Sequence, residues 1–188
     1  MYDTLREILK EEAVLKHYNS EQNSFYIKES DTLAKCKKIE FLGFEHEDTT
    51  FGFELDCKDK SVKCGNLQKL SPYFKDGKHL DKGNDAIIFA TIENKDYLFI
   101  CELKDDSGSS KLDKQFKSSS AFVDYLKSIL DNFYNINISK IKPIYIVFSK
   151  HGNNLRPTGG SRSSTIDYRG LDVYFQNCRE KVHIKSFI

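Results

Sequence analysis

Two short apolar runs, separated by four polar residues, constrain the fold of this chain more than any other stretch. The first run follows Asp85 and reads Ala-Ile-Ile-Phe-Ala-Thr-Ile; the second follows Glu-Asn-Lys-Asp and reads Tyr-Leu-Phe-Ile-Cys. Short runs rich in β-branched and aromatic residues, bounded by polar residues, are typical of buried strands joined by a tight turn. The stretch from Asp85 to Lys104 therefore predicts a β-hairpin in the protein core.

Charged side chains stand at the open end of this hairpin, although unpaired charges near a core are costly. If the turn is Asn94-Lys95 or all of 93–96, Asp85 lies opposite Lys104, and Glu102 lies two residues earlier on the same strand. Opposed residues share a face of the sheet, as do residues two apart on one strand. We therefore expect the two carboxylates and the ammonium group to project together, where they could hold a divalent cation and a water molecule. A turn of three or five residues would break this alignment.

Hydrophobic spacing predicts two helices and several further strands. Apolar residues at three- and four-residue steps predict helices at 3–17 and 111–134. Apolar runs predict strands at 25–27, 38–44, 51–56, 61–64 and 143–148, and short strands at 166–168, 171–175 and 182–188. This order predicts an α/β fold in which helices pack on one mixed sheet. We expect a single domain at 1–188, with a core of about 1–150 and a C-terminal β extension at 151–188.

The composition is that of an ordinary globular domain. Hydrophobic residues make up 39% of the 188 residues and charged residues 30%, which is typical of one domain with its own core. No apolar run approaches the roughly 18 residues of a membrane span, and the N-terminus lacks the features of a signal peptide, so no membrane partner is expected. The net charge is +1, so any nucleic-acid-binding surface must come from local clusters of basic residues.

The cysteines form an odd set without a Cys-x-x-Cys pair: Cys36, Cys57, Cys64, Cys101 and Cys178. This pattern predicts reduced thiols in a cytoplasmic protein. A zinc site formed by Cys36, Cys57 and Cys64 is a weaker alternative, because their spacing fits no standard pattern.

Asp85, then sixteen residues, then Glu102-Leu103-Lys104 resembles the PD-(D/E)xK superfamily of nucleases, which includes many restriction enzymes and recombination nucleases. Gly83-Asn84 precedes the aspartate, so the Pro of the family name is absent at a position that varies in the family. The order of predicted elements over the first 150 residues also resembles the family's αβββαβ core. The resemblance implies a restriction-endonuclease-like fold with extra C-terminal strands.

The resemblance also implies roles for individual residues. Asp85, Glu102 and the backbone carbonyl of Leu103 would bind Mg²⁺, with Mn²⁺ as a substitute, and Lys104 would orient or deprotonate the attacking water. Many relatives add an acidic residue from the first helix, here Glu11 or Glu12, and some add a Gln from the helix after the motif, here Gln115. Basic residues on that helix and in the loop at 150–164 would contact nucleic acid: Lys111, Lys114, Lys117, Lys150, Arg156 and Arg162.

An acid-x-Lys triplet alone is not specific in so charged a chain. Asp56-Cys57-Lys58, Asp76-Gly77-Lys78 and Glu93-Asn94-Lys95 match it too. Only the hairpin motif combines a strand-initial aspartate with a long helix that follows. The competing interpretation is that these charges merely end two core strands, and that the accessory acids, Gln115 and the basic residues are solvated surface.

The sequence therefore predicts a Mg²⁺-dependent nuclease that hydrolyses phosphodiester bonds of DNA rather than RNA, in restriction, anti-phage defence or mobile-element biology. A homodimer, or a larger complex, would allow a chain of this size to cut both strands. Two other functions remain open. One is a catalytically inactive restriction-like domain that binds nucleic acid or a protein, and the other is an unrelated α/β interaction protein.

Overall fold

A computed structural model describes residues 1–15, 18–28, 33–55, 83–105, 112–150, 165–178 and 181–188. The helices are α1 (Tyr2–Ile8) and α2 (Leu112–Tyr134), and short 3-10 turns lie at Glu11–Ala13, Glu47–Thr49 and Ile184–Ser186. The strands are β1 (Tyr18–Asn19), β2 (Ser24–Lys28), β3 (Lys38–Leu42), β4 (Thr50–Phe53), β5 (Ala86–Ile92), β6 (Lys95–Lys104), β7 (Pro143–Ser149), β8 (Ile166–Asp167), β9 (Asp172–Asn177) and β10 (Lys181–His183).

The strands form two sheets. The larger has the order β4-β5-β6-β7-β9-β8, and the smaller has the order β1-β2-β3-β10. In the larger sheet β5 and β6 are antiparallel, whereas β6 and β7 are parallel and joined through α2. The α/β class and the mixed sheet are confirmed. The prediction of one sheet is wrong, because β2 and β3 pair with each other and bury their apolar residues as a separate layer.

The predicted hairpin is present, but its turn lies at Glu93-Asn94. Both residues have positive φ, at 50° and 60°, as a two-residue type I′ hairpin turn requires. Ala86 therefore pairs with Cys101, and the same register continued by one residue places Asp85 opposite Glu102 rather than opposite Lys104. The predicted register is wrong by two residues. Because this error is even, the three charged residues stay on one face of the sheet.

The larger sheet is buried on both faces. Helix α2 packs on one face, where Leu112, Phe116 and Leu130 meet inward residues of β5 and β6 such as Ile87 and Ile100. The smaller sheet packs on the other face. Its apolar residues there, which include Phe25, Ile27, Ile39 and Phe41, meet Ile88, Phe99 and Cys101. The near-continuous apolar character of β5 and β6 follows from this double burial.

The first helix is shorter than predicted. It ends at Ile8, and Leu9 has an extended backbone, with ψ of 139°. Beyond it, the Leu15 amide donates to Gly52 O and the Glu54 amide donates to Ala13 O, both at 2.9 Å. The segment after α1 therefore pairs with the edge of β4, which removes these backbone groups from any continuing helix.

The C-terminal segment contributes to both sheets. Strands β8 and β9 extend the larger sheet beyond β7, and β10 pairs in parallel with β3 in the smaller sheet. Cys36, just before β3, and Cys178, just after β9, form a disulfide with Cα atoms 5.7 Å apart. The prediction of reduced thiols is therefore wrong for these two residues, because the fold brings together cysteines that are 142 residues apart. The same bond excludes Cys36 from the zinc site considered above.

The remaining cysteine and membrane predictions have separate outcomes. Cys101 is a free, buried thiol, as expected, whereas Cys57, Cys64 and the predicted strand at 61–64 lie outside the described residues. The described ranges contain no helix whose length and hydropathy would let it cross a bilayer.

Candidate functional site

Polar side chains are buried where β5 begins and β6 ends. Asp85 is 6% exposed and Glu102 only 1%, and Asn84 beside them is fully buried. Acidic side chains are almost never buried to this degree unless they are paired or bind a cation. This end of the hairpin is therefore the strongest candidate for a functional site.

Three donors from different parts of the chain surround the Glu102 carboxylate. Lys104 Nζ lies 2.5 Å from Oε1, and Gln115 Nε2 donates to the same oxygen at 2.8 Å. Asn84 Nδ2 donates to Oε2 at 2.7 Å. The Lys104 side chain is 22% exposed, whereas the Glu102 side chain that it contacts is only 1% exposed. Helix α2 supplies Gln115 because α2 packs on this face of the sheet.

Asp85 is oriented by the neighbouring strand. Its Oδ2 accepts a hydrogen bond of 2.7 Å from the backbone amide of Leu103. That amide lies between Glu102 and Lys104 in the chain, so one bond fixes the aspartate against the motif on β6. The two carboxylates are thereby held on one face of the sheet, each with a defined orientation.

The electrostatics of the pair favour a proton or a cation. Burial raises the pKa of Glu102 to about 7, and the charge of Asp85 acts in the same direction. The Lys104 ammonium and the hydrogen bond from Asn84 lower the pKa but do not outweigh these effects. At neutral pH the pair therefore holds a proton for part of the time. A divalent cation would replace it, because ligand carboxylates must be deprotonated.

This raised pKa makes stability depend on pH. Folded Glu102 binds a proton up to about pH 7, whereas the unfolded side chain releases it near 4.5. The contribution to stability is thus fully present below about pH 4.5 and is lost as the pH rises through 7. In EDTA, we expect the wild type to lose about 3 kcal/mol from this group between pH 4.5 and 8, since one pKa unit corresponds to about 1.4 kcal/mol.

Urea denaturation of the wild type and Glu102→Gln across this pH range measures the difference. The glutamine variant should lack this part of the pH dependence, whatever its absolute stability. Glu12→Gln, at an exposed position, is the matched control and should follow the wild type. Parallel pH profiles for the wild type and Glu102→Gln would show that the Glu102 carboxyl is not perturbed.

The oxygen donors fit a hydrated Mg²⁺ ion better than a fully protein-bound metal. Among the described residues, no group of three or more His, Cys, Asp or Glu side chains converges as a metal site. Asp85, Glu102 and the Leu103 carbonyl would be the protein ligands, and Mg²⁺ commonly binds one or two carboxylates and keeps several waters. The buried Asn84 Oδ1 has no hydrogen-bond partner within the described part of the chain. It is an acceptor that a water of such an ion would satisfy.

The predicted accessory residues have different outcomes. Gln115 is part of the site through its bond to Glu102. Glu11 and Glu12 lie exposed on a 3-10 turn after α1, so they are not buried with the two site carboxylates. The structure thus gives no support to a first-helix acid at these positions, because the helix ends before them.

The predicted nucleic-acid contacts are only partly described. Lys114, Lys117 and Lys150 are exposed, and Lys117 Nζ lies 3.9 Å from Asp113 Oδ2. Lys150 directly follows β7, at the same end of the sheet as the candidate site. Lys111, Arg156 and Arg162 lie outside the described residues.

Sequence reasoning missed two polar residues. Asn84 was treated only as the position of an absent proline, yet it binds Glu102 directly. Ser149 pairs with Lys104 across β6 and β7, and its buried Oγ has no partner within the described ranges. The position of Asn84, a polar residue next to the strand-initial Asp85, could have indicated its role. The second depends on the parallel pairing of β6 with β7, which no local pattern reveals.

The chain was also compared with known proteins. No protein-family model, curated protein or solved structure matches it. The geometry of the site is therefore the main basis for a functional proposal.

Proposed function

We propose that this protein is a Mg²⁺-dependent nuclease that hydrolyses phosphodiester bonds of DNA. The observation that carries the proposal is the burial of Asp85 and Glu102 at one end of the β5–β6 hairpin, with Lys104 Nζ 2.5 Å from Glu102 Oε1. Two buried carboxylates beside a partly exposed ammonium group suit hydrolysis of an anionic ester. The carboxylates would bind a cation, and the ammonium group beside them would attract the anionic ester.

The order of elements supports a restriction-endonuclease-like core. Strands β4, β5, β6 and β7 are neighbours in the larger sheet, and α2 joins the parallel pair β6 and β7. This order is consistent with the βββαβ part of the core that the resemblance implies, with α1 packed near β4 in the place of the first helix. On this reading, β1–β3 and β8–β10 are additions to the core.

Each site residue then has a specific task. Asp85, Glu102 and the Leu103 carbonyl would hold the cation, which when bound would lower the pKa of a water molecule and stabilise negative charge on the phosphate. Lys104 would position the attacking water through its ammonium group. Asn84 and Gln115 hold the Glu102 carboxylate in one orientation, as the partners of metal ligands commonly do.

One observation favours the alternative of an inactive domain that binds nucleic acid or a protein. Lys104, Gln115 and Asn84 already satisfy Glu102, so cation binding must rearrange a complete hydrogen-bond network. A buried ion pair of this kind can also be purely structural. A cleavage assay distinguishes the two functions.

We expect purified protein to cut double- or single-stranded DNA in Mg²⁺ and to stop in EDTA. Asp85→Asn should reduce the rate by at least about a hundredfold, since loss of a metal ligand exceeds the 10- to 100-fold cost of losing a residue that orients one. Asparagine retains an oxygen that can accept from the Leu103 amide, so the fold should persist. Asp48→Asn, in the exposed turn Glu47–Thr49, is the matched control and should cut normally. A wild-type protein that cuts neither substrate would contradict the nuclease and favour the binding module.

A further inference from the structure

A basic groove crosses the solvent-facing side of the smaller sheet. We give this name to the cavity of 520 Å³ lined by Tyr26, Lys35, Lys37, Lys38, Glu40 and Lys181, with Cys178 at its edge. Tyr26 on β2 pairs with Glu40 on β3, which in turn pairs with Lys181 on β10. These residues alternate with the apolar residues that face the larger sheet, so they form the outer face.

The groove is strongly positive. Among the described residues that line it, four lysines face one acidic side chain, which leaves a net charge of +3. Burial acts to raise the pKa of Glu40, but hydrogen bonds from Ser24 and Lys181 outweigh it and hold the pKa below its usual value. Glu40 therefore stays charged and binds Lys181 at 3.2 Å, while the ammonium group of Lys38 lies 3.8 Å from the centre of the Tyr26 ring. This excess of positive charge has no counterpart in the net charge of the chain, which is +1.

One end of the groove, next to the Cys36–Cys178 disulfide, is attached to the strands that end at the candidate site. Asp105, the residue after Lys104, accepts hydrogen bonds from the amides of Lys35 and Cys36 at 2.5 and 3.4 Å. At the same end, the Cys178 amide donates to Ser149 O at 2.9 Å. This end of the groove therefore lies at the same end of the larger sheet as the site, with the groove on the outer side of the smaller sheet and the site on the α2 face.

From these observations we infer that the basic groove binds the phosphate backbone of DNA that extends away from the site. This inference deepens the proposed function and rests on it. Flexible lysines are point charges that suit phosphates in many positions, and phosphate contacts of this kind position a nucleic acid without reading its sequence. No helix N-terminus or glycine-rich loop appears among the described lining residues, so the groove lacks the backbone donors typical of a site for one free nucleotide.

The test measures binding of a fluorescein-labelled DNA duplex of roughly 20 base pairs by anisotropy in EDTA, across a salt series. The variant Lys35→Gln/Lys37→Gln/Lys38→Gln removes three charges and leaves Lys181 on the buried Glu40. We expect its affinity to fall at least tenfold at low salt, and the slope of log affinity against log salt to flatten by about 2 to 3, as loss of three phosphate contacts implies. The matched control replaces three exposed lysines at the opposite end of the sheet, Lys95, Lys140 and Lys142, and should bind like the wild type.

Each other outcome has a defined meaning. Equal affinity and slope for the groove variant and the control would overturn the inference, as would a wild type that does not bind the duplex. Inorganic phosphate that displaces the duplex as effectively as unlabelled duplex would assign the groove to a small anion and would also overturn it. If the triple variant does not fold, the single variants Lys35→Gln and Lys37→Gln test the same point. Each should lower the affinity and flatten the salt slope by a smaller amount.

Because binding is read without a divalent cation, the two proposals can fail separately. Binding through the groove without cleavage by the wild type would refute the nuclease and leave the groove. Cleavage with unchanged affinity of the groove variant would refute the groove and leave the nuclease.

Discussion

Lys104→Gln is expected to reduce DNA cleavage by about a thousandfold, within the range reported for loss of a general acid or base. Lys104 contacts Glu102 and, with a side chain that is 22% exposed, is the most exposed of the site residues. Glutamine keeps a polar group of similar length but can neither carry the positive charge nor move a proton. The DNA affinity of this variant in Ca²⁺ should stay close to that of the wild type.

The substitution has a second, electrostatic consequence. The Lys104 ammonium lowers the pKa of Glu102, so its removal raises that pKa further above about 7. Protons then compete more strongly with the cation at neutral pH. Rates should therefore be compared at pH 7 and pH 9, because only the loss that persists at pH 9 reports on the role of Lys104 in the reaction.

Lys95→Gln is the matched control. Lys95 ends the triplet Glu93-Asn94-Lys95, which has the same acid-x-Lys pattern but lies at the hairpin turn, where Glu93 pairs with Lys185. This variant should cut DNA at the wild-type rate. A Lys104→Gln protein that also retains the wild-type rate at both pH values would remove Lys104 from the mechanism.

The strongly patterned segments of this fold were predictable. The long apolar periodicity predicts α2 and the continuous apolar runs predict β5–β7, and each lies within two residues of its expected bounds. The shared face of Asp85, Glu102 and Lys104 also followed from sequence, because face depends only on whether the register error is even. The exact partner did not follow, since it depends on which two residues adopt positive φ in the turn.

Other features required the tertiary structure. Strands β2 and β3 would show the same apolar–polar alternation whether they extended the central sheet or packed over it. The alternation therefore does not reveal how many sheets form. The first helix was predicted to be longer than it is, because the apolar residues after Ile8 pack into the core from an extended backbone. Val14 bridges to Phe53 at the edge of β4 and Leu15 packs among core residues, in an extended backbone rather than on a helix.

Of the two amide side chains that bind Glu102, one was predicted from the sequence and the other was not. Gln115 could be named because the resemblance implies a Gln on the helix after the motif, and it does contact Glu102. Asn84 could not be ranked, because an asparagine before a strand is usually a turn residue. Its role appears only when the hairpin brings it to the Glu102 carboxylate, 18 residues further along the chain.

The Cys36–Cys178 disulfide is expected to contribute about 5 kcal/mol to stability, as the chain-entropy relation gives for a closed loop of this length. The bond joins residues 142 positions apart and links the start of β3 in the smaller sheet to the end of β9 in the larger one. A loss of this size is comparable with the whole stability of a small domain. It also borders the basic groove, because Cys178 lies at its edge.

Urea denaturation of the wild type with and without dithiothreitol measures this contribution. Reduction should lower the midpoint strongly, and the double variant Cys36→Ser/Cys178→Ser should show the lower midpoint under both conditions. The free thiol of Cys101 should not interfere, because burial and the charges of Asp85 and Glu102 raise its pKa and keep it protonated. The double variant therefore serves as the control for effects of the reductant on any other cysteine.

The result also bears on where the protein works. Disulfides persist in oxidising compartments and are rare in the reducing cytosol, whereas the odd cysteine count predicted a cytoplasmic protein. Identical midpoints for the oxidised and reduced wild type would mean that the bond does not stabilise the two-sheet arrangement. The prediction of a cytoplasmic protein would then stand. A large shift would mean that the bond stabilises the two-sheet arrangement, and it would favour an oxidising environment over the cytoplasm.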